Sequence, residues 1–322
     1  MLPSRTDTTI CFAHVAYQME RRFNRLGTGI RSFEVRDAES LERRIAEADV
    51  LVVSGLWRDA LLKRAPRLRF IQSIGAGVDQ FPRDALAARG IRLASARGVN
   101  ARAVSEHAMA LILALARKLP EARDNQRQRF WRGMIGDPEA REDELGGKTL
   151  VVVGLGAIGV RLAALAKAFD MRVIGLRRNV AAGGGAADRV HALGELKSLL
   201  PEADVVALAC PLAPETEKLI DAEALACMKP SAVLVNVARG RCVDEGALVA
   251  ALAARRIAGA GIDVTVEEPL APASPLWTMA NVLLTPHTAG ETRRYEDNVL
   301  AILMENLDRL WQGGTTLRNQ VV

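Results

Sequence analysis

Three glycines, Gly154, Gly156 and Gly159, stand between a short apolar run, Leu150–Val153, and an alanine- and leucine-rich stretch, Val160–Phe169. No other feature constrains the fold as strongly. The run is apolar at every position, as in a parallel strand buried on both faces. The first glycine permits a tight turn, the second lets phosphates approach the backbone, and the third lets a following helix pack on the strand. That helix would begin at Ala157 and Ile158. Its N-terminus would offer free N–H groups and the positive end of its dipole. Gly154, Gly156, Ala157, Ile158 and Gly159 therefore read as a dinucleotide-binding turn.

The rest of the chain supplies a matching scaffold. Its 322 residues suit one or two domains, and 49% hydrophobic content with only 4% aromatic residues suits helix-covered parallel sheets. Before the glycines, strand signals at 8–13, 32–35, 49–53, 69–73 and 91–94 alternate with helical ones such as Glu39–Glu47 and Asp59–Arg64. A long helix is expected over Ala101–Leu119, ended or bent by Pro120, and then a polar, irregular arm over 121–147. A second series follows, with strands at 150–154, 172–176, 204–209, 232–236, 258–263 and 281–285, and helices that include 244–255 and 291–311. The glycine-rich segment 181–187 reads as a flexible loop. The expected fold is α/β, two doubly wound parallel-sheet domains: a Rossmann-type cofactor domain and a flavodoxin-like substrate domain. The boundaries expected are 100–290 for the dinucleotide-binding domain, and 1–99 with 291–322 for the substrate-binding domain.

Charge and cysteines narrow the classes of function. The 43 basic and 38 acidic residues are dispersed, without a run of like charge, which argues against nucleic-acid or membrane binding. No apolar run reaches membrane-span length, and the first residues lack the apolar core of a signal peptide. Cys11, Cys210, Cys227 and Cys242 form no C-x-x-C pair and no metal-ligand spacing with histidine, as expected of a reduced, cytoplasmic protein without a metal.

Four further segments lie at or near the carboxyl ends of expected strands, where open α/β sheets build their sites. They are Cys210–Thr216, Asn236–Gly240, Gly261–Leu270 and Thr285–Gly290. With Gly75–Asp79 and Asn100–His107 they resemble the D-2-hydroxyacid dehydrogenase family, in order and with sensible spacing over about residues 50–295. The chemistry accounts for the residue types. Reducing a 2-oxo acid needs a hydride donor, a proton donor and a grip on an anion. His287 would be the acid, with Glu268 holding its imidazole and keeping it protonated near neutral pH. Glu268 is chosen over Glu267 because the family motif sets its glutamate directly before proline. Arg239 would grip the substrate carboxylate through its planar fork. The resemblance implies the same three roles. It also implies that Asp263 meets the nicotinamide carboxamide, and that Cys210, Pro211, Thr216, Val237 and Ala238 lie along the cofactor. Gly75, Ala76 and Gly77 would present N–H groups to the substrate carboxylate. His107 is read as a packing residue between domains, and Leu56, Trp57, Arg58, 130–135 and 291–295 as pocket walls.

One departure bears on the cofactor. Enzymes of this fold that use NAD carry an acidic residue about twenty positions past the glycines, on the ribose hydroxyls. Here Leu176 is followed by Arg177 and Arg178, and no acid lies between Met171 and Ala187. Two arginines suit a 2′-phosphate, so NADP(H) is the expected cofactor, with NAD(H) possible. The expected activity is reduction of a small anionic 2-oxo acid, such as glyoxylate or hydroxypyruvate, by a homodimer. The alternatives are a cofactor-sensing co-repressor on the same fold and a phosphite- or formate-type dehydrogenase.

Overall fold

A computed structural model describes residues 2–322, which fall into two compact units. The first runs to Asn100 and takes in Thr292–Val322; the second is Ala101–Glu291. Both are parallel-sheet α/β units, as the alternating strand and helix signals predict.

The first unit holds strands β1 (Thr9–Ala13), β2 (Arg31–Val35), β3 (Val50–Val53), β4 (Phe70–Ser73) and β5 (Arg92–Ala94). They pair in parallel in the order β2-β1-β3-β4-β5, the flavodoxin-like doubly wound order. Every residue of β3 is buried because helices cover both faces. Leu51 and Ile71 join the core with Leu41, Leu61 and Leu86 on one side. Ile10, Val52 and Phe70 join Val299, Leu303 and Leu307 of the C-terminal helix, Tyr295–Trp311, on the other. A buried polar link fixes that helix: Asn306 Nδ2 donates to Gln72 Oε1 at 3.2 Å. The chain then ends on the sheet edge, where Val321 N donates to Leu93 O at 2.8 Å. Trp57, expected in a pocket wall, is a core residue instead. It is buried against Phe81, with ring centroids 5.3 Å apart, because its indole N–H is satisfied by Asp59.

The second unit holds β6 (Thr149–Val153), β7 (Arg172–Leu176), β8 (Arg189–His191), β9 (Val205–Leu208), β10 (Val233–Asn236), β11 (Gly259–Ile262) and β12 (Val282–Leu284). The order is β12-β11-β10-β9-β6-β7-β8, all parallel. Counted from β6, this is the Rossmann order 3-2-1-4-5-6 with a seventh strand added at the β12 edge. The sequence reading had six strands here. It missed β8, three partly exposed edge residues too short to show a period.

Two further corrections have local causes. The arm after the long helix is not irregular from its start. The helix Ala101–Ala116 ends, Lys118 turns left-handed at φ 48°, and a second helix, Leu119–Arg127, begins. Pro120 sits in its first turn, where a missing N–H costs nothing, so the proline starts a helix as well as following one. The segment 181–187 is a loop in which Gly183 is open but Gly184 and Gly185 are packed. A Cβ on Gly184 would lie 2.4 Å from Val190 Cγ2, and one on Gly185 would lie 2.6 Å from Val160 Cγ1.

The glycines of the opening motif divide into those the fold requires and one it does not. Gly154 has φ +101°, and a Cβ there would meet Cys210 Cα at 2.7 Å. A Cβ on Gly159 would lie 2.1 Å from Gly154 O. A Cβ on Gly156 would have nothing within 4 Å. Gly159→Ala is therefore expected to lower stability by about 1–3 kcal/mol through overpacking. Gly156→Ala, at a helix N-cap, should cost no more than about 1 kcal/mol. Urea denaturation of both variants checks this; equal losses would contradict the division.

Candidate active site

The strand order of the second unit reverses between β6 and β9, and the turn after β6 meets the turn after β9 there. Gly154 is the point of contact, main chain against Cys210. The helix Ala157–Lys167 starts at Gly156, which offers no side-chain cap. Ala157 and Ile158 therefore hold first-turn N–H groups of the kind a helix leaves unpaired. Space at Gly156, open N–H groups and a positive dipole end fit an anionic pyrophosphate. Cys210 is buried; its interaction with Cys242, together with burial, pushes the Cys210 thiol up, and the same interaction holds the Cys242 thiol down. Thr216 closes the 210–216 loop, donating to Pro211 O at 2.8 Å and accepting from Ala213 N at 2.8 Å. Its hydroxyl is spent inside the loop, and Pro211 is exposed. Val237 and Ala238 are buried at the end of β10, in a turn that Asn236 Oδ1 holds by accepting from Ala238 N at 3.0 Å.

Arg177 and Arg178 stand directly after β7. Their guanidinium groups are engaged differently. Arg177 Nη1 donates to the carbonyls of Ala182 and Gly183, closing the glycine-rich loop. Arg178 pairs with Glu215, and its side chain is 79% exposed.

Beyond β11 lies the densest network. Asp263 is 2% exposed. Its Oδ1 accepts from Thr285 Oγ1 at 2.6 Å and from Thr288 N at 2.9 Å, and Ala289 N is shared between Oδ1 and Oδ2 at 3.2 and 3.1 Å. The Asp263 carbonyl accepts from His287 N at 2.7 Å. His287 adopts a left-handed backbone, φ 55°, which few non-glycine residues do and which clusters at functional sites. Its Nδ1 lies 2.7 Å from Glu268 Oε2. A carboxylate only accepts, so Nδ1 carries the proton and Nε2 is left for a ligand. The other Glu268 oxygen accepts from Thr265 N at 3.1 Å. Glu267 meets Thr265 only through its main-chain carbonyl. A cavity of about 430 Å³ is lined by Asp263, Glu268, Thr285 and His287 together with Leu270 and Trp277.

The expected residues are only partly gathered. Asp263, Glu268 and His287 form one connected set. Arg239 is exposed, its Nη1 donating to Ala238 O at 2.6 Å, and among the described residues no hydrogen bond or ion pair joins it to Glu268 or His287. Backbone packing links them instead: a Cβ on Gly240 would lie 2.0 Å from the carbonyl of Thr265. Gly75, Ala76 and Gly77 follow β4 in the first unit, with Gly75 O accepting from Ala96 N at 3.0 Å. The sequence reading missed Thr285, and it gave His107 no polar partner; in the structure His107 Nε2 lies 2.9 Å from Thr285 Oγ1, inside the second unit. A histidine bonded within its own unit looks, in sequence, like any histidine in an apolar helix.

The family model for the NAD-binding domain of D-isomer specific 2-hydroxyacid dehydrogenases matches residues 109–289. Glyoxylate/hydroxypyruvate reductase B of Shigella boydii is 40% identical over 272 residues, covering 83% of each chain. A D-isomer specific 2-hydroxyacid dehydrogenase family protein of Aeromonas salmonicida has the same fold, with a TM-score of 0.84 and 31% identity over 98% of this chain and 99% of that one. The NADPH-dependent glyoxylate/hydroxypyruvate reductase of Sinorhizobium meliloti, in complex with NADP and malonate, superposes with a TM-score of 0.77 at 28% identity, covering 98% and 97%. Among the described residues no helix is long and apolar enough to cross a membrane. With the fold, the glycine turn and these likenesses in agreement, the chain belongs to the D-isomer specific 2-hydroxyacid dehydrogenase family of nicotinamide-dependent oxidoreductases.

Proposed function

We propose that this chain reduces a small anionic 2-oxo acid, with glyoxylate and hydroxypyruvate the first substrates to test, to the D-2-hydroxy acid, and that it prefers NADPH. The observation that carries the reading is the His287–Glu268 pair, 2.7 Å apart, bordering a cavity together with Asp263. The bound nicotinamide supplies the hydride. His287 supplies the proton: as an imidazolium it gives Nε2–H to the carbonyl oxygen as that oxygen becomes an alkoxide. It ends as a neutral ring with Nδ1–H still on Glu268. Glu268 stabilises the charged ring and fixes its plane. Arg239 holds the substrate carboxylate, and for this its side chain must leave the Ala238 carbonyl. The Gly75–Gly77 turn remains part of the proposal as a main-chain grip on that carboxylate. Residues 100–290 are assigned to the dinucleotide, and 1–99 with 291–322 to the substrate.

Removing the proton donor while leaving the glycine turn intact separates chemistry from binding. His287→Ala should lower kcat by roughly 10²–10⁴-fold and leave the cofactor dissociation constant within about twofold of the unaltered protein. Stopped-flow turnover and calorimetry check both parts, and near-normal turnover would remove His287 from the mechanism.

Cofactor choice rests on Arg177 and Arg178. The relative in complex with NADP is NADPH-dependent by name, which supports the reading. Of the two arginines, Arg178 is the better placed to change partners, being exposed and held only by Glu215. Arg178→Ala should cut kcat/KM with NADPH about tenfold, the equivalent of one charge-assisted hydrogen bond at an exposed site. The value with NADH should stay unchanged. Equal or better use of NADH by the unaltered protein would refute the preference.

A homodimer is the proposed assembly, and the protein is taken as cytoplasmic because all four cysteines are free. Trp131 is 95% exposed and Met134 fully so, with Leu119 and Phe130 also exposed in the same stretch. Large apolar side chains left bare in sequence proximity mark a surface that a second copy would cover. Light scattering should give twice the 34.8 kDa chain mass, and the double change Trp131→Asp, Met134→Asp should give the monomer. A monomeric unaltered protein at micromolar concentration would overturn this.

A further inference from the structure

The 101–116 helix lies along β11 in matching register. A Cβ on Gly259 would lie 3.7 Å from Leu115, and one on Gly261 would lie 3.0 Å from the Leu111 Cβ. The next step in both rows brings His107 to Asp263, its Nε2 3.7 Å from Oδ1. Four residues of helix advance about 6 Å and two of strand about 6.6 Å. The rows 107, 111, 115 and 263, 261, 259 therefore stay in step, running in opposite directions. The missing side chain at Gly261 lets the helix approach closely, while Gly259 is held tight by the Asn281 carbonyl, 2.7 Å from where its Cβ would be. His107 is thus delivered to the end of β11 by the packing of the fold.

The hydrogen-bond directions are determined. Thr285 has one hydroxyl proton, and Asp263 Oδ1 takes it at 2.6 Å. The 2.9 Å contact between Thr285 Oγ1 and His107 Nε2 is then a donation from the imidazole N–H. N–H, O–H and carboxylate form a chain of one sense, in which each bond polarises the next. At its end Oδ1 is saturated, by Thr285, Thr288 and Ala289. Oδ2 has only its share of the Ala289 N–H. It is the one oxygen with capacity for a further donor.

We propose that His107 is a positioning residue for the cofactor: through Thr285 it fixes the Asp263 carboxylate so that Oδ2 is kept for the amide N–H of the nicotinamide carboxamide. This rests on the reading that Asp263 meets the carboxamide. The set fits such a donor, because Asp263 is buried, oriented from one oxygen and open at the other. His107 touches neither cofactor nor substrate in this arrangement. Its effect falls on how strongly the site distinguishes a ring that carries an amide from one that does not.

The experiment compares NADP⁺ with the analogue whose carboxamide is replaced by acetyl, which lacks the amide donor. Dissociation constants are read by calorimetry on the full chain. The unaltered protein should prefer NADP⁺, since the analogue leaves a buried acceptor unpaired. His107→Leu should shrink that preference about three- to tenfold, the worth of one hydrogen bond. His107→Gln, whose amide nitrogen can donate where Nε2 did, should restore it. Thr285→Val, which keeps the shape and removes the connecting hydroxyl, should behave as His107→Leu and supplies the test should the leucine variant not fold. Weakening of both ligands by the same factor in His107→Leu or Thr285→Val would show a merely structural role and overturn the proposal. Asp263→Asn separates the two levels. If it abolishes the preference while His107→Leu retains it, the positioning role fails and the Asp263 reading stands. If Asp263→Asn retains the preference, both fall.

Discussion

A buried carboxylate organises the carboxyl end of the second sheet at β11 and β12. Asp263 is almost wholly withdrawn from water, and an ionised group there is tolerable only if hydrogen bonds replace its hydration. The donors it recruits come from two parts of the site. Thr285 fixes the exit of β12; Thr288 and Ala289 fix the turn beyond His287. Its own carbonyl pins the His287 backbone in a left-handed conformation. His287 can then face Glu268 at 2.7 Å only because the main chain on both sides of it is tied to one residue. The geometry of the His287–Glu268 pair follows from the need to satisfy a buried carboxylate.

The second constraint is main-chain proximity. Gly154 against Cys210, Gly159 against Gly154 and Gly240 against Thr265 are contacts that a single methyl group would break. They bring the turns after β6, β9, β10 and β11 together in pairs. Arg239 and Glu268 share no side-chain contact, yet the turns carrying them abut through Gly240. Gly156 is the exception, with open space where its Cβ would be, and that space is at the helix N-terminus. A position that the fold leaves free, and that still holds glycine, suits close approach by a ligand.

Polar partners were the least legible part of the site. Arg177 and Arg178 look equivalent in sequence. The fold distinguishes them, because the 180–183 turn brings two carbonyls to Arg177 while the loop after β9 brings Glu215 to Arg178. His107 likewise reads as a histidine on an apolar helix, and Trp57 as an aromatic near a strand end. Which atom each one meets depends on residues 178 positions away for His107 and on a core ring, Phe81, for Trp57. Edge strand β8 and the 119–127 helix were obscured for a different reason. One is too short for a period, and the other has no buried face to create one.

The sequence by itself determined the architecture and the chemical class. Apolar runs of strand length, helices between them and glycines at fixed spacing admit few folds, since buried parallel strands and close backbone approach each demand particular residue types. The segments carrying Arg239, Glu268 and His287 were identifiable for the same reason. Only the tertiary structure decided which side chains of that set touch, which oxygen of Asp263 stays available and where His107 points. Those outcomes depend on the register of a helix against a strand and on the pairing of distant loops. Hydrogen bonds of that kind are set by positions a few ångströms apart in space, with no period or spacing along the chain to announce them.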